Sequence, residues 1–319
     1  MSDETNDNTD AAAARLKKWS SKSIGSRFQH WIFYALIRLG GRQAAYLLLR
    51  IVVLYYVLFS PTVRRRSFPY LSRRFPEKGP LRRLLDCYRL SYGIGEVLVD
   101  RAALGILGTE RFSVSTTERT KLQELVREGK GLVLVTSHVG SWQGAMAALG
   151  FVGAPVNIVI HRQEGDLDRH YFEHGGANPY RIIDPAAPFG GTLEMVAALK
   201  RGEILCIMGD RAMGSESGTL AVDFLKGKVR FPISPYKLAA ATGAPVAVVF
   251  PIKTGPTCYA LNLAKVLRIP HPGGRSGEPY RPFLQEYVDA LELFVEEHPH
   301  QYFNFFDMWE SEEEAGRGR

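Results

Sequence analysis

The sequence predicts an α/β fold: a mostly parallel central sheet flanked by helices, with an N-terminal membrane-associated helical region. Three observations predict it. Short, fully apolar runs alternate with helical stretches from Gly131 onward, as parallel strands covered on both faces do. The longest apolar stretch lies near the N-terminus, between basic clusters. Small and polar residues follow several of the apolar runs, where an open parallel sheet places its ligands.

The N-terminal third carries the positive charge. The 319-residue chain has a formal net charge of +7, with an isoelectric point near 9.3. Residues 1–110 hold 18 Lys/Arg against 9 Asp/Glu, so the remainder is slightly negative. Cations beside an apolar stretch suit an anionic bilayer surface. A nucleic-acid partner would want a basic groove over the folded domain, so none is expected. Apolar residues make up 45% of the chain, enough for a sizeable core but too few for a multi-span membrane protein.

Residues 1–24 are expected to be a disordered polar and basic tail. Their acidic start, Met1-Ser2-Asp3-Glu4-Thr5, lacks the basic and apolar regions of a secretory signal. The three cysteines, Cys87, Cys206 and Cys258, cannot all pair and have no metal-type spacing, which fits a reducing compartment. Together these lead to the expectation of a chain that is not exported and faces the cytoplasm. Residues 25–110 are expected to form the helical attachment region, 111–309 the catalytic α/β domain and 310–319 an acidic, polar tail.

Between Gln43 and Val63 the only ionised side chain is Arg50, so this segment nearly reaches the roughly 20 residues of a membrane span. One central Arg costs about 2.5–3.5 kcal/mol on insertion scales, and each neighbouring Leu, Ile, Val or Phe returns roughly a few tenths. Crossing the bilayer and lying in its interface are therefore close in energy. Trp31, Phe33, Tyr34, Tyr46, Tyr55 and Tyr56, with Lys17-Lys18 and Arg64-Arg65-Arg66, supply aromatic belts and basic flanks for a headgroup-level anchor. A buried helical hairpin capping the domain is the other reading.

Residues 61–80 are basic and broken by prolines, so they read as a connector; 81–107 has an amphipathic helical period. Strands are expected at Leu132–Thr136, 155–160, Ile204–Met208, 245–252 and 258–266. Helices are expected at 142–149, 167–174, Thr192–Lys200, 233–242 and 282–297.

His138 follows the first of these strands by two residues. A neutral imidazole at the mouth of a sheet is a ready general base once a second group fixes its tautomer. Gly140 permits an unusual turn after it, Ser141 is a candidate N-cap, and Gln143 in the next turn could reach back to the ring. A histidine serving only structure fits the same position. Asp210 and Arg211 follow Ile204–Met208 and would enter the same crevice, to orient an acceptor, pair with a phosphate or brace one another. Arg162 could bind an anionic headgroup or carrier phosphate, and His161 is a competing base. Lys228 and Arg230 precede the helix at 233 and offer cations near a helix N-terminus, or a solvated loop.

Several segments, taken in order, resemble the lipid A late acyltransferase family of the glycerolipid acyltransferase-like superfamily. They are Ser137-His138-Val139-Gly140-Ser141-Trp142-Gln143, Met208-Gly209-Asp210-Arg211 with Gly214, Phe224-Leu225 through Arg230-Phe231-Pro232, Ala241-Thr242-Gly243-Ala244-Pro245-Val246, and His298-Pro299 with Gln301-Tyr302-Phe303. The resemblance spans residues 25–309. It implies a dyad of a His and, five positions on, an Asp or Glu, with the acyl group supplied as a thioester on acyl carrier protein or coenzyme A.

His138 matches the base of that dyad, but the acid position holds Gln143. A Gln carbonyl can accept the same hydrogen bond while offering the imidazolium only a dipole, and a comparable amide replacement in serine protease triads costs roughly 10⁴-fold. Asp210 compensates, or the acceptor is more reactive, or turnover is slow. The implied function is acyl transfer to a hydroxyl of a membrane lipid or glycolipid such as a lipid A precursor. In it His138 takes the proton, Gln143 holds the ring, Arg162, Asp210 and Arg211 line the acceptor pocket, and the Gly140 and Ser141 amides stabilise the oxyanion. No metal or bound organic cofactor is implied. Acyl carrier protein and the membrane surface are the expected partners. The alternatives are an amino-acid lipid, phosphoglycolipid or polyene acceptor, or a non-catalytic lipid-binding relative.

Overall fold

Fully buried apolar runs build the centre of the sheet. The computed structural model describes residues 27–108, 112–141, 149, 152–160, 180–211, 218–271 and 276–310. Its strands in chain order are β1 (Ser113–Thr116), β2 (Leu132–Thr136), β3 (Val156–Val159), β4 (Tyr180–Ile183), β5 (Ile204–Met208), β6 (Thr219–Phe224), β7 (Gly227–Pro232), β8 (Val246–Lys253) and β9 (Cys258–Leu267). Seven of them form one sheet, ordered β1-β9-β8-β2-β5-β3-β4, and β6 with β7 forms a separate hairpin. Every neighbouring pair in the large sheet is parallel except β8 and β9, which are antiparallel.

Alternation along these strands divides the core between the two faces. Val133, Val135, Leu205, Ile207, Val246 and Val248 share one apolar cluster. Leu132, Leu134, Ile204, Cys206, Ala247 and Val249 share the other. Side chains of a strand point alternately to opposite faces, so a strand buried on both reads as a continuous apolar run.

The helices are α1 (Arg27–Phe59), α2 (Pro61–Arg74), α3 (Pro80–Leu107), α4 (Arg119–Arg127), α5 (Thr192–Lys200), α6 (Ser234–Thr242) and α7 (Arg281–Glu297). Helix α1 is broken at Gly41, whose φ of 67° and ψ of −176° suit glycine alone. Beyond the break, Ala45, Tyr46, Leu49, Val53 and Val57 are buried at helical spacing. They face α3: a Cβ on Gly95 would stand 2.6 Å from a Leu49 methyl, so a larger residue there would have to push that side chain aside.

A buried ionic cluster fastens these helices to the sheet. Asp100 of α3 is fully buried and pairs with Lys253 Nζ at the end of β8 (2.8 Å) and with Arg42 (3.5 Å). It also accepts hydrogen bonds from the Tyr46 and Tyr259 hydroxyls. Farther along, Tyr70 donates to Pro299 O (2.6 Å), and Arg74 donates to Val295 O and Glu296 O. Among the described residues, one helix (His30–Phe59) is long and apolar enough to cross a membrane.

Three sequence expectations change. The apolar segment 43–63 is not one helix: α1 ends at Phe59, Arg64 caps its last carbonyls (Val57 O and Leu58 O), and Pro61 opens α2. The expected connector at 61–80 is largely helix α2, with Pro69 inside it, because proline is well tolerated at a helix start and buried Val63, Ser67, Tyr70 and Leu71 hold the rest. Residues 227–232 are not a cationic loop but β7, where Lys228 pairs with Asp223 (2.8 Å) and Arg230 with Glu310 (2.9 Å). The expected helices at 142–149 and 167–174 lie outside the described residues, apart from Leu149.

Candidate active site

β2 and β5 are parallel neighbours with Thr136 opposite Met208, so the residues leaving their carboxyl ends meet in one crevice. Gly209 N–H donates to Thr136 O (2.7 Å), carrying the pairing past the strand. A Cβ at Gly209 would lie 2.7 Å from Val135 and 2.9 Å from Tyr287, so only glycine brings Asp210 this close. The Tyr287 hydroxyl, on α7, is 2.7 Å from the Ser137 hydroxyl and fixes the start of the turn.

The turn itself is clamped by the C-terminal segment. Phe303 N–H donates to His138 O (2.8 Å), and Gly140 N–H donates to Gln301 O (2.9 Å). Val139 and Tyr302 are bridged as in an antiparallel ladder. Gly140 has a φ of +46°, and a Cβ there would stand 2.0 Å from Pro251 O. The Gln301 side chain pairs with both backbone groups of Lys253: Oε1 accepts from its N–H (2.9 Å) and Nε2 donates to its carbonyl (3.0 Å).

Within this frame Asp210 grips His138 twice. Nδ1 of the ring lies 2.8 Å from Oδ1 and 3.1 Å from Oδ2, and Oδ2 accepts from the His138 backbone N–H at 3.0 Å. An ionised carboxylate only accepts, so Nδ1 carries the proton and Nε2 is the nitrogen with a lone pair. The imidazole is 26% exposed and the carboxylate is buried.

Burial holds the imidazole below its ordinary pKa, against the opposing pull of Asp210. For Asp210, burial works to raise the carboxyl. The His138 ring, the Arg211 charge and the backbone N–H outweigh it, and the group stays below the usual carboxylate range. A neutral ring backed by an ionised carboxylate is the arrangement of a general base. Arg211 donates from Nη2 to Phe303 O (2.8 Å) and lies over the Phe306 ring.

A family model described as bacterial lipid A biosynthesis acyltransferase matches residues 106–311, from the last turn of α3 through the C-terminal segment. The chain belongs to the bacterial lipid A biosynthesis acyltransferase family. Members of the lipid A acyltransferase family transfer acyl groups to lipid acceptors, and this chain is an acyltransferase on that ground. It is also similar to the solved 1-acyl-sn-glycerophosphate acyltransferase PlsC from Thermotoga maritima. That likeness has 16% identity and a TM-score of 0.37, covering 81% of this chain and 98% of that one. No curated protein matches the chain.

Of the residues singled out in the sequence of this lipid A acyltransferase relative, the structure brings His138, Asp210 and Arg211 together and puts Gly140 and buried Ser141 in the adjoining turn. The Gly140 amide is engaged with Gln301. Gln143, Arg162 and His161 lie outside the described residues. Sequence reasoning gave no role to Tyr287, Gln301 or Phe303. Gln301 and Phe303 were noted only within a motif, and Tyr287 had no signal beyond its place on an amphipathic helix.

Proposed function

We propose that the chain transfers a fatty acyl group from a carrier thioester, on acyl carrier protein or coenzyme A, to a hydroxyl of a lipid A precursor or a related membrane glycolipid. One observation carries this reading: the Asp210 carboxylate lies 2.8 Å from His138 Nδ1 at the carboxyl ends of β2 and β5. His138 Nε2 takes the acceptor's hydroxyl proton, and the oxygen attacks the thioester carbonyl. The tetrahedral oxyanion then collapses, breaking the C–S bond, and the thiolate leaves with the proton returned by the imidazolium.

Asp210 supplies the charge for which Gln143 offers only a dipole. That removes the reason for reading the chain as a non-catalytic lipid binder. Arg211, with Arg162, is assigned to the acceptor's anionic groups. Residues 25–110 serve as the attachment region at the cytoplasmic face of the inner membrane, 111–309 as the acyltransferase domain.

Two measurements test the proposal. Lipids of cells with and without the gene, compared by mass, should differ by one acyl increment on a glycolipid, released by mild alkali as an ester. An unchanged lipid A fraction with an altered amino-acid lipid, phosphoglycolipid or polyene fraction would move the acceptor to that class. In purified enzyme, Gln143→Glu should change the rate by less than about fivefold. A gain of tenfold or more would show that the missing acid at 143, and not Asp210, limits the base.

A further inference from the structure

The second half of α1 has two apolar stripes on opposite faces. Ala45, Tyr46, Leu49, Val53 and Val57 are buried against α3. Leu47 (62% exposed), Ile51 (63%), Leu54, Tyr55, Leu58 and Phe59 (69%) recur at spacings of three and four along the other side. The one charge in this half-helix after Arg42 is Arg50, which sits at the edge of the exposed stripe beside Tyr92 of α3. On α3 the apolar line goes on with Leu81 (83%) and Leu85, in the register of Tyr88 and Tyr92.

This arrangement does not suit a helix that crosses the bilayer. The face of α1 turned from solvent lies along α3, which carries Asp86, Glu96, Asp100 and Arg101 within its length and cannot enter hydrocarbon beside it. The cations lie at one end of the stripe. Arg65 and Arg66 lie in the second turn of α2, Arg82 follows exposed Leu81, and none of the three has an ion-pair partner among the described residues. An apolar stripe with cations at its end is the chemistry of a helix lying in the headgroup layer of an anionic leaflet.

We propose that α1 and the start of α3 attach the protein in the plane of one anionic leaflet, with Leu47, Ile51, Leu54 and Leu58 inserted and Arg65, Arg66 and Arg82 on the lipid phosphates. The attachment stands apart from the role given to His138, and its test does not involve acyl transfer.

Single cysteines at 47, 51, 54 and 58, in full-length protein carrying Cys258→Ser, are given spin labels. Their depth is then read in vesicles of phosphatidylethanolamine and phosphatidylglycerol. In-plane attachment puts all four labels at one shallow depth. In a crossing helix, positions 47 and 58 lie about 16 Å apart along the membrane normal, at 1.5 Å per residue. A label at the bilayer centre, with depth changing along the chain, would overturn the proposal, as would four labels in water.

Two further arms use the same vesicles. Ile51→Asp, at an exposed position, should bind about tenfold more weakly or worse while melting with the parent. Arg65→Gln/Arg66→Gln/Arg82→Gln should lose about tenfold on these vesicles and almost nothing on phosphatidylcholine. Equal binding of parent and triple variant to the anionic vesicles would remove the headgroup contacts from the proposal.

Discussion

Asp210→Asn is the substitution with the sharpest consequence for the proposed base. The carboxylate serves two donors, the His138 backbone N–H at 3.0 Å and ring Nδ1 at 2.8 Å. An asparagine has one oxygen for these two places. The backbone N–H cannot turn away, so it retains the amide oxygen and leaves the amide NH₂ facing Nδ1. The ring must then accept at Nδ1 and hold its proton on Nε2, the atom meant to take the acceptor's proton. The imidazolium also loses its counter-charge. The comparable change in a serine protease triad costs roughly 10⁴ in kcat, and the same two faults operate here, so a loss of about 10³ to 10⁴, or about 4 to 5 kcal/mol of barrier, is expected. The assay is transfer of a labelled acyl group from acyl carrier protein to purified acceptor, with KM measured separately and nearly unchanged. An Asp210→Asn enzyme that keeps a tenth of the parent rate would refute the dyad.

Three other outcomes follow from the same geometry. Because burial lowers the His138 pKa, the ring is already neutral at pH 7, so kcat/KM should hold level there and fall only below the ordinary histidine value of about 6.5; an acid limb centred above 7 contradicts this. Gly140→Ala meets Pro251 O at 2.0 Å and a left-handed backbone that alone costs about 1–2 kcal/mol, so the urea midpoint should drop clearly and activity with it; an unchanged midpoint shows that the turn can relax. Asp100→Asn keeps acceptance from Tyr46 and Tyr259 in part but takes from Arg42 the carboxylate it pairs with and leaves Lys253 only Glu96, 3.4 Å away, a loss of about 3 kcal/mol by the measure of broken buried pairs; differential scanning calorimetry showing the parent melting temperature would argue against it.

The central sheet was legible because β2, β5 and β8 are buried on both faces and read as continuous apolar runs, and the resemblance supplied the function. The hairpin was not, because Lys228 and Arg230 alternate with buried Val229 and Phe231 over too short a stretch to outweigh their charge. Its turn uses Leu225 and Lys226 at positive φ, without the glycine or asparagine that marks such turns. β4 has only Ile183 fully buried and gave no apolar run. At the site, position after a strand singled out His138 and Asp210 separately. Their contact depends on the register of β2 against β5, which no local pattern encodes. The grip of Gln301 on Lys253 joins segments 48 residues apart and was equally out of reach.

The Asp100 cluster bears on how such an enzyme can be handled. Cutting the chain before Pro61, in the hope of a water-soluble catalyst, would take away Arg42 and Tyr46 and uncover the side of α3 that Leu49, Val53 and Val57 now shield. Lys253, whose own backbone holds Gln301 beside the base-bearing turn, would lose the Tyr46 hydroxyl from its ammonium. The greasy N-terminal helix is therefore as much a wall of the catalytic domain as its mooring, and detergent is a better route to active protein than scissors.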